Sequence, residues 1–401
     1  MTRFLYRVLR ESGRYDPEVI LLATSASDSA STLFRKPGSW RRGVSVRRES
    51  DRDFTYLHAG AWMSDLEFQR YRPRKALTNE LKQYDILQFV AGSAPWVSVA
   101  ADVNKPKCVW VATTTRSDRA SRARVGSFPR RLWSAVMTAL AGNEEVRGLQ
   151  RANAVLALSP YTQRAVEAKV DAKPVTLAFC GVDTLLFRPR TAERATSGLD
   201  RGYILCVARL SDARKNVALL LRAYAWLHRS MAEIPDLWLV GEPLSRDGEK
   251  LLHQLGIASR VRSIGPQYGE DLAEVYRNAL FFALSSDEEG LGIVLLEAMA
   301  SGLAVVSTAC GGPEVAIRDG ENGFLTPVGD EAALASAMRF LIAEPELRRR
   351  FGSAGREIAE AQFALDVTGK VFLDTYERLL NVGPKASADR QRPMAELSPD
   401  V

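Results

Sequence analysis

The second half of the chain alternates short apolar runs with amphipathic segments, and this alternation constrains the fold more than any other feature. The apolar runs are four or five residues long and end at glycines or polar loops, as at Gly241 and Gly265. The segments between them repeat apolar residues at helical spacing. This pattern predicts an α/β fold with a parallel sheet that binds ligands at the carboxyl ends of its strands. The predicted strands are 203–207, 237–240, 261–264, 280–284 and 304–307, and the predicted helices are 216–227, 248–255, 272–279, 292–300 and 331–342.

The first half shows the same pattern less clearly. Two stretches rich in Ser and Arg, 25–53 and 115–130, lack periodicity and are predicted as long loops. The chain opens in an amphipathic helix, whereas a doubly wound domain normally opens with a buried strand and a glycine-rich turn. We therefore expect the amino-terminal domain to lack its first strand. The predicted strands here are 19–24, 86–90, 108–112 and 154–159, and the predicted helices are 2–12 and 131–141.

The length of 401 residues favours two domains, each with its own core. We place an amino-terminal domain at 1–187 and a carboxyl-terminal domain at 188–362, with a polar linker around 188–200. A last helix is expected at 366–380, and we expect the segment 363–380 that contains it to cross back to the amino-terminal domain. The tail at 381–401 is polar, and we expect it to be disordered.

Composition and charge indicate a soluble globular protein with two unlike halves. Hydrophobic residues make up 46% and charged residues 25% of the chain. No apolar run reaches the roughly 18 residues of a membrane helix, and no signal-peptide core follows the start, so a cytoplasmic location is expected. Residues 1–190 hold 31 Lys and Arg against 18 Asp and Glu, which is +13, whereas residues 191–401 carry −7. A basic half favours an anionic acceptor, peripheral contact with the inner membrane face or nucleic acid, although a solvated Arg-rich surface is an equal alternative. Nucleic acid is disfavoured because no reading helix or aromatic platform is recognisable.

The segment 285–301, SSDEEGLGIVLLEAMAS, combines a strand end, an acidic loop and a helix start. Gly290 and Gly292 let backbone approach a ligand closely, and the free N–H groups near Gly292–Val294 favour an anion. Glu289 and Glu297 stand eight positions apart, which is about 12 Å of helix. Carboxylates at that separation suit the hydroxyls of a sugar and a ribose on either side of a diphosphate. The alternative is a solvated loop and an exposed helix face, but Glu297 lies within an apolar run, where an unpartnered charge is costly.

The segment 207–216, VARLSDARKN, places cations between a strand and a helix. Fixed cations stabilise the negative charge that develops on a diphosphate leaving group. Arg209 follows the strand end, and Arg214 and Lys215 compete for the second position. Ordinary surface charge in a turn is the alternative.

Together, ARLSDARKN, EEGLGIVLLEAMASGLAVVST and GGPEVAIRDGENGFLTP resemble the retaining nucleotide-sugar glycosyltransferases of family 4. That family has the GT-B fold, in which two Rossmann-like domains face a central cleft. The resemblance implies that Arg209 and Lys215 hold the diphosphate of a UDP or GDP sugar, with Glu289 on the donor sugar and Glu297 on the ribose. It also implies a sugar, glycolipid or small-molecule acceptor, retention without a dedicated nucleophile, and no cofactor. The remaining donor-binding residues are expected to be Gly290, Leu291, Gly292, Ile293, Val294 and Gly265.

The chain departs from the family where the acceptor is expected. Thr113–Thr115 stand where many members carry a His, Cys180 stands where many carry an Asn, and His58 is the one His of the amino-terminal half. No Asp pair of DxD type stands in a strand-end loop, so we expect no required metal. A non-catalytic partner subunit that retains donor binding is the second hypothesis. A dinucleotide-dependent oxidoreductase is disfavoured because no strand–GxGxxG–helix segment is present.

Overall fold

The computed structural model describes residues 1–50, 54–120, 128–170, 173–190 and 202–380. The tail predicted at 381–401 and most of the linker predicted at 188–200 lie outside these residues.

The described strands of the amino-terminal half form two separate sheets. They are β1 (Val19–Leu22), β2 (Val46–Ser50), β3 (Thr55–Ala59), β4 (Leu87–Ala91), β5 (Lys107–Val111), β6 (Ala154–Ala157) and β7 (Val175–Leu177). One sheet has the order β1-β3-β2, with β1 parallel and β2 antiparallel to β3. The other is parallel throughout, in the order β4-β5-β6-β7. The first strand of the described chain therefore belongs to a small mixed sheet beside the main one.

This half also contains five described helices. They are α1 (Thr2–Glu11), α2 (Lys75–Leu81), α3 (Thr115–Ala120), α4 (Phe128–Arg151) and α5 (Pro160–Glu167), with short 3-10 turns at Pro37–Ser39, Glu67–Tyr71 and Ala94–Ala100. The helix predicted at 131–141 is thus shorter than the observed α4. The predicted long loops are wrong in part, since 25–53 contains β2 and 115–130 contains α3 and the start of α4. Strand β2 escaped prediction because most of its residues are exposed and it has no apolar alternation.

The described carboxyl-terminal half contains one six-stranded parallel sheet. Its strands are β8 (Tyr203–Val207), β9 (Leu237–Val240), β10 (Val261–Ser263), β11 (Ala279–Leu284), β12 (Ala304–Thr308) and β13 (Gly323–Thr326), and their order in the sheet is β10-β9-β8-β11-β12-β13. The five strands predicted here are confirmed to within two residues. Strand β13 was not predicted because it begins at Gly323, whose missing side chain allows close pairing: a Cβ there would lie 2.5 Å from the Val305 carbonyl oxygen.

The helices of this half pack on both faces of the sheet. They are α6 (Val217–Ser230), α7 (Arg246–Leu255), α8 (Gly269–Arg277), α9 (Ile293–Ala300), α10 (Glu331–Ala343) and α11 (Pro345–Phe363). The helix predicted at 272–279 in fact begins at Gly269 and ends at Arg277. Among the helices that the structure describes, none has the length and apolar character needed to span a bilayer.

The last helix, α12 (Leu365–Leu380), packs against the amino-terminal half. The Phe372 ring lies 5.8 Å from that of Phe4 on α1 and 4.6 Å from that of Trp110 on β5, centroid to centroid. The Tyr376 hydroxyl donates to Gln88 Oε1 at 2.8 Å. Residues far apart in sequence thus share one core between the ends of the described chain.

Candidate functional site

Hydrogen bonds join two loops at the carboxyl edge of the six-stranded sheet. The Ser285 hydroxyl donates to the carbonyl oxygens of Lys215 and Asn216, and the Asp287 N–H donates to the Arg214 carbonyl oxygen at 2.8 Å. Asn216 adopts a left-handed φ of 40° and caps α6, while its side-chain amide donates to Asp287 at 2.8 Å. The loop after β8 is therefore fixed against the loop after β11.

These hydrogen bonds bring Lys215 and Glu289 together, although the two residues are far apart in the sequence. Lys215 Nζ lies 2.5 Å from Glu289 Oε1, and both side chains are largely buried. The Ser286 hydroxyl donates to the same carboxylate oxygen at 2.8 Å. Lys215 and Glu289, each predicted from a different motif, thus form one buried, hydrogen-bonded group.

The buried Cys206, the penultimate residue of β8, interacts electrostatically with both members of the pair. Burial raises the pKa of the Cys206 thiol to about 12, with Lys215 lowering it and Glu289 raising it. The thiol is therefore protonated at neutral pH and behaves as a small apolar group near the ion pair.

The other two cations of the 207–216 segment share one carboxylate. Arg209 and Arg214 each contact Asp212 Oδ2 at 2.9 Å. Although burial alone raises the pKa of Asp212, hydrogen bonds from the Arg214 side chain and backbone bring it below its usual value. Arg209 is 60% exposed, so its guanidinium is open to a ligand, whereas Arg214 is mostly covered.

The segment 290–294 presents backbone at the same edge. Gly292 has a φ of 80° and precedes α9, whose first N–H groups have no intrahelical acceptor. Leu291 is buried, and a Cβ on Gly290 would lie 2.9 Å from the Ala112 carbonyl oxygen of the amino-terminal half. The Val294 carbonyl oxygen accepts a hydrogen bond from the Tyr276 hydroxyl at 3.1 Å. Ile293 and Val294 thus begin a helix whose N-terminus favours an anion.

Glu297 lies one turn further along α9 and points into the protein. Its carboxylate accepts a hydrogen bond from the Tyr276 hydroxyl at 2.8 Å. Burial raises the pKa of Glu297 to about 7, partly offset by the hydrogen bond from Tyr276. Glu297 is thus partly buried and hydrogen-bonded, which disfavours the alternative of an exposed helix face, and its role on the ribose stays a prediction.

The site lies where the two halves meet. Arg214 reaches Asp118 on α3 at 3.4 Å, and a cleft of about 550 Å³ opens between Tyr161 and Arg164 of α5 and the loop at Asp287 and Glu288. Burial raises the pKa of Glu288, with Asp118 adding to the effect and Arg214 opposing it. A ligand at the Lys215–Glu289 pair would therefore lie beside groups from both halves.

Gly265 and His58 lie apart from this cluster. Gly265 follows β10 with a φ of 74°, and its carbonyl oxygen accepts from the Gly241 N–H at 3.1 Å, so it shapes the adjoining strand end. His58 on β3 contacts Asp28 at 2.6 Å within the small mixed sheet region. Among the described residues, no group of three or more His, Cys, Asp or Glu side chains is arranged to hold a metal ion.

Three residues that position the site were not predicted from the sequence. Tyr276, Ser286 and Asn216 position the predicted residues. Ser286 and Asn216 stand in the two predicted motifs without a predicted role of their own, and Tyr276 stands in a segment whose pattern indicates only a helix. Asn216 offered one sequence indication, since Asn is both tolerated in the left-handed conformation and favoured before a helix. Tyr276 offered none, because its partner Glu297 is 21 residues away on another helix.

Comparison with known proteins shows where the similarity lies. Residues 188–358 match the family described as glycosyl transferases group 1. The chain is 36% identical over 166 residues to a lipopolysaccharide core biosynthesis glycosyltransferase, LpsE, of Rhizobium meliloti, covering 41% of this chain and 47% of that protein. It is 33% identical over 228 residues to a D-inositol 3-phosphate glycosyltransferase of Salinispora tropica, covering 52% and 47%. The chain therefore spans about half the length of these relatives.

Solved structures share this architecture over most of the chain. Sucrose-phosphate synthase from Thermosynechococcus elongatus superposes with a TM-score of 0.71 at 22% identity, over 95% of this chain and 92% of that one. HepE of Anabaena, solved in complex with UDP and glucose, superposes with a TM-score of 0.61 at 20% identity, over 75% and 80%. At these identities the likeness shows the fold, and it confirms the predicted α/β GT-B architecture.

Proposed function

We propose that this chain is a retaining glycosyltransferase that moves a hexose-type sugar from a UDP or GDP sugar to a hydroxyl acceptor. The observation that carries the proposal is the buried Lys215–Glu289 pair beside the start of α9. A cation, a carboxylate and a helix N-terminus at one strand edge suit a diphosphate that carries a sugar.

The comparisons support a sugar-transfer function at this site. The family match at 188–358 contains Arg209, Lys215, Glu289 and Glu297. Both relatives are named glycosyltransferases, and HepE was solved with UDP and glucose. We infer a role in glycan, polysaccharide or glycolipid synthesis in the cytoplasm, with the acceptor held by the amino-terminal half.

Each residue of the site has a role in this mechanism. On binding, the diphosphate replaces Glu289 as the partner of the Lys215 ammonium and also contacts the exposed Arg209. These cations stabilise the negative charge that develops on the diphosphate as the glycosidic bond breaks. Glu289 then accepts hydrogen bonds from hydroxyl groups of the sugar, and Glu297 accepts hydrogen bonds from those of the ribose. The acceptor oxygen attacks from the face that the diphosphate leaves, and its proton passes to the departing phosphate oxygen. This scheme uses no protein nucleophile and no metal.

Turnover of nucleotide sugars by matched variants tests the proposal. A thermal-shift screen against UDP and GDP sugars first identifies the donor, because a ligand of the native state raises the melting temperature. With that donor, Lys215→Ala and Glu289→Ala should each lower the rate of transfer or donor hydrolysis by roughly 10²–10³-fold. The adjacent Arg214→Ala and Glu288→Ala are the controls, and we expect less than about tenfold for each.

The outcomes separate the hypotheses. Activity that persists in excess chelator supports a metal-independent reaction, and its loss would contradict that part. Donor binding without any turnover would favour the non-catalytic partner subunit. Equal losses in the target and control variants would show that the wrong cation and carboxylate have been assigned.

A further inference from the structure

The amino-terminal half presents an aromatic surface to solvent. Phe34, Trp40 and Trp62 are 55%, 39% and 40% exposed, and the two Trp rings lie 6.2 Å apart. These three side chains, together with the exposed cations Arg35, Lys36, Arg41 and Arg42, are called the Trp40 surface below. Aromatic groups gathered in this way on a surface mark an interaction site more often than a scattered exposed residue does.

The backbone holds these aromatics outward. The Thr32 N–H donates to the Ala61 carbonyl oxygen at 3.0 Å, which joins the loop that carries Trp40 to the segment that carries Trp62. Asp65 accepts from the N–H groups of Phe34 and Arg35 at 2.7 and 3.0 Å. The surface is therefore a built platform between two hydrogen-bonded segments.

The indole of Trp40 is oriented by its own polar group. Its Nε1 donates to the Leu33 carbonyl oxygen at 2.8 Å, and Gly43 with a φ of 69° turns the chain after it. With the N–H satisfied inside the loop, the exposed part of the ring is apolar. This arrangement suits a partner that offers hydrocarbon in place of hydrogen-bond acceptors.

The charged residues within the segment 33–43 all have one sign, and Asp65, which accepts from the Phe34 and Arg35 N–H groups, is an acidic residue beside them. Arg35, Lys36, Arg41 and Arg42 are exposed, and residues 33–43 contain no Asp or Glu. Clustered Lys and Arg are attracted to anionic lipid headgroups, and Trp rings prefer the boundary between headgroups and acyl chains. Long basic side chains also keep their charge in water while their stems contact apolar groups.

We propose that the Trp40 surface docks this protein on an anionic phospholipid bilayer. Phe34, Trp40 and Trp62 enter the interfacial layer, and the four cations contact the phosphates around them. A nucleic acid would share the charge preference, but three exposed aromatic rings, with the Trp40 N–H bonded inside the loop, favour the hydrocarbon of a bilayer interface. The proposal rests on the exposed residues of the amino-terminal half and is independent of the proposed sugar transfer.

Vesicle flotation of the full chain tests the docking surface. Vesicles of phosphatidylcholine with 30% phosphatidylglycerol (about one lipid in three) are compared with phosphatidylcholine alone, at low and high salt. Wild-type protein should float with the anionic vesicles and be released by salt. Arg41→Gln with Arg42→Gln should weaken binding by roughly 25-fold, since each basic residue near such a surface contributes about fivefold. Trp40→Ala with Trp62→Ala should weaken it by at least about tenfold.

Matched variants on helix α6 control for general changes in charge and exposed aromatic area. Trp226 is 41% exposed, and Arg222 and Arg229 are exposed on the same helix. Trp226→Ala and the double change Arg222→Gln with Arg229→Gln should leave flotation within about twofold. Thermal unfolding of each variant shows whether it is folded. The variant with Arg41→Gln and Arg42→Gln retains Trp40 and Trp62, so it tests the charges alone.

Three results would overturn the proposal. One is no preference for anionic over neutral vesicles. Another is equal weakening by the α6 controls. The third is binding to a single-stranded oligonucleotide that is as tight as binding to anionic vesicles and insensitive to the Trp changes, which would indicate a nucleic-acid surface. Because flotation needs no donor or turnover, it can fail while the transferase proposal stands, and the reverse.

Discussion

Glu297 holds a carboxyl group where a negative charge is costly. It lies on α9 within the run IVLLEAMA, and the Tyr276 hydroxyl donates to it at 2.8 Å. Burial raises its pKa to about 7, so protonated and ionised forms are close in free energy near neutral pH. A ribose that donates two hydroxyl groups would favour the ionised form. The ionised form of this carboxylate therefore lowers the stability of the free protein.

Replacing Glu297 by Gln should remove a pH dependence of stability. Between its ordinary pKa of 4.5 and the raised value of about 7, folded Glu297 keeps a proton that the unfolded chain has lost, so stability falls as pH rises through this window. Glu297→Gln should therefore raise the free energy of unfolding relative to wild type by roughly 1–3 kcal/mol at pH 8 but not at pH 4. Urea unfolding at both values measures the difference, with the exposed Glu346→Gln as control. An equal change at both pH values would contradict the assignment.

At the scale of the element, glycines at strand ends set the shape of the site edge. Gly241 follows β9 with a φ of 138°, and a Cβ there would lie 1.9 Å from the Ala208 carbonyl oxygen after β8. Gly265 has a φ of 74° but open space around it, and Gly248 lies in α7 with ordinary contacts. Backbone conformation and available space therefore differ among three glycines that look alike in the sequence.

Alanine at these three positions should give a graded series of stabilities. Gly241→Ala should destabilise the protein by more than about 3 kcal/mol, because backbone must move to admit the methyl group. Gly265→Ala should cost about 1 kcal/mol from the left-handed conformation alone. Gly248→Ala should be neutral or stabilise by up to about 1 kcal/mol, since alanine favours a helix. Thermal or urea unfolding gives the order, and a Gly265 effect as large as that of Gly241 would contradict it.

The sequence predicted those elements whose own residues carry the pattern. Strands β8 and β12 are buried along their whole length, so their apolar runs were recognisable. Strand β2 is an exposed edge and β13 begins with a glycine, and neither has a periodic pattern. In the site, the motifs predicted Lys215 and Glu289 as a cation and a carboxylate that bind the donor. Their pairing depends on hydrogen bonds between loops that are 70 residues apart in the sequence. Tyr276 was missed for the same reason, since contacts between distant segments leave no mark on a single sequence.

At the scale of the whole molecule, the two halves are joined by packing as well as by the chain. Gly290 lies against Ala112, and Arg214 reaches Asp118, at the mouth of the site. On the other side, α12 leaves the carboxyl-terminal half and packs on α1. Its Gly369 lies so close to Val8 that a Cβ there would be 2.7 Å from Val8 Cγ1. The two halves are therefore in contact both at the site and in a core that α12 completes.

Truncating the central ring of that core should loosen the amino-terminal half selectively. Phe372 is fully buried between Phe4 and Trp110, so Phe372→Ala should lower the free energy of unfolding by about 3–5 kcal/mol. Phe340 on α10 is 49% exposed, and Phe340→Ala should cost less than about 1 kcal/mol. Hydrogen exchange should show lost protection in α1 and β5 before any loss in β8 and β12, because the Phe372 ring packs against Phe4 on α1 and Trp110 on β5. Uniform loss across both sheets would instead show that the halves unfold as one cooperative unit, with α12 as part of a core that neither half has alone.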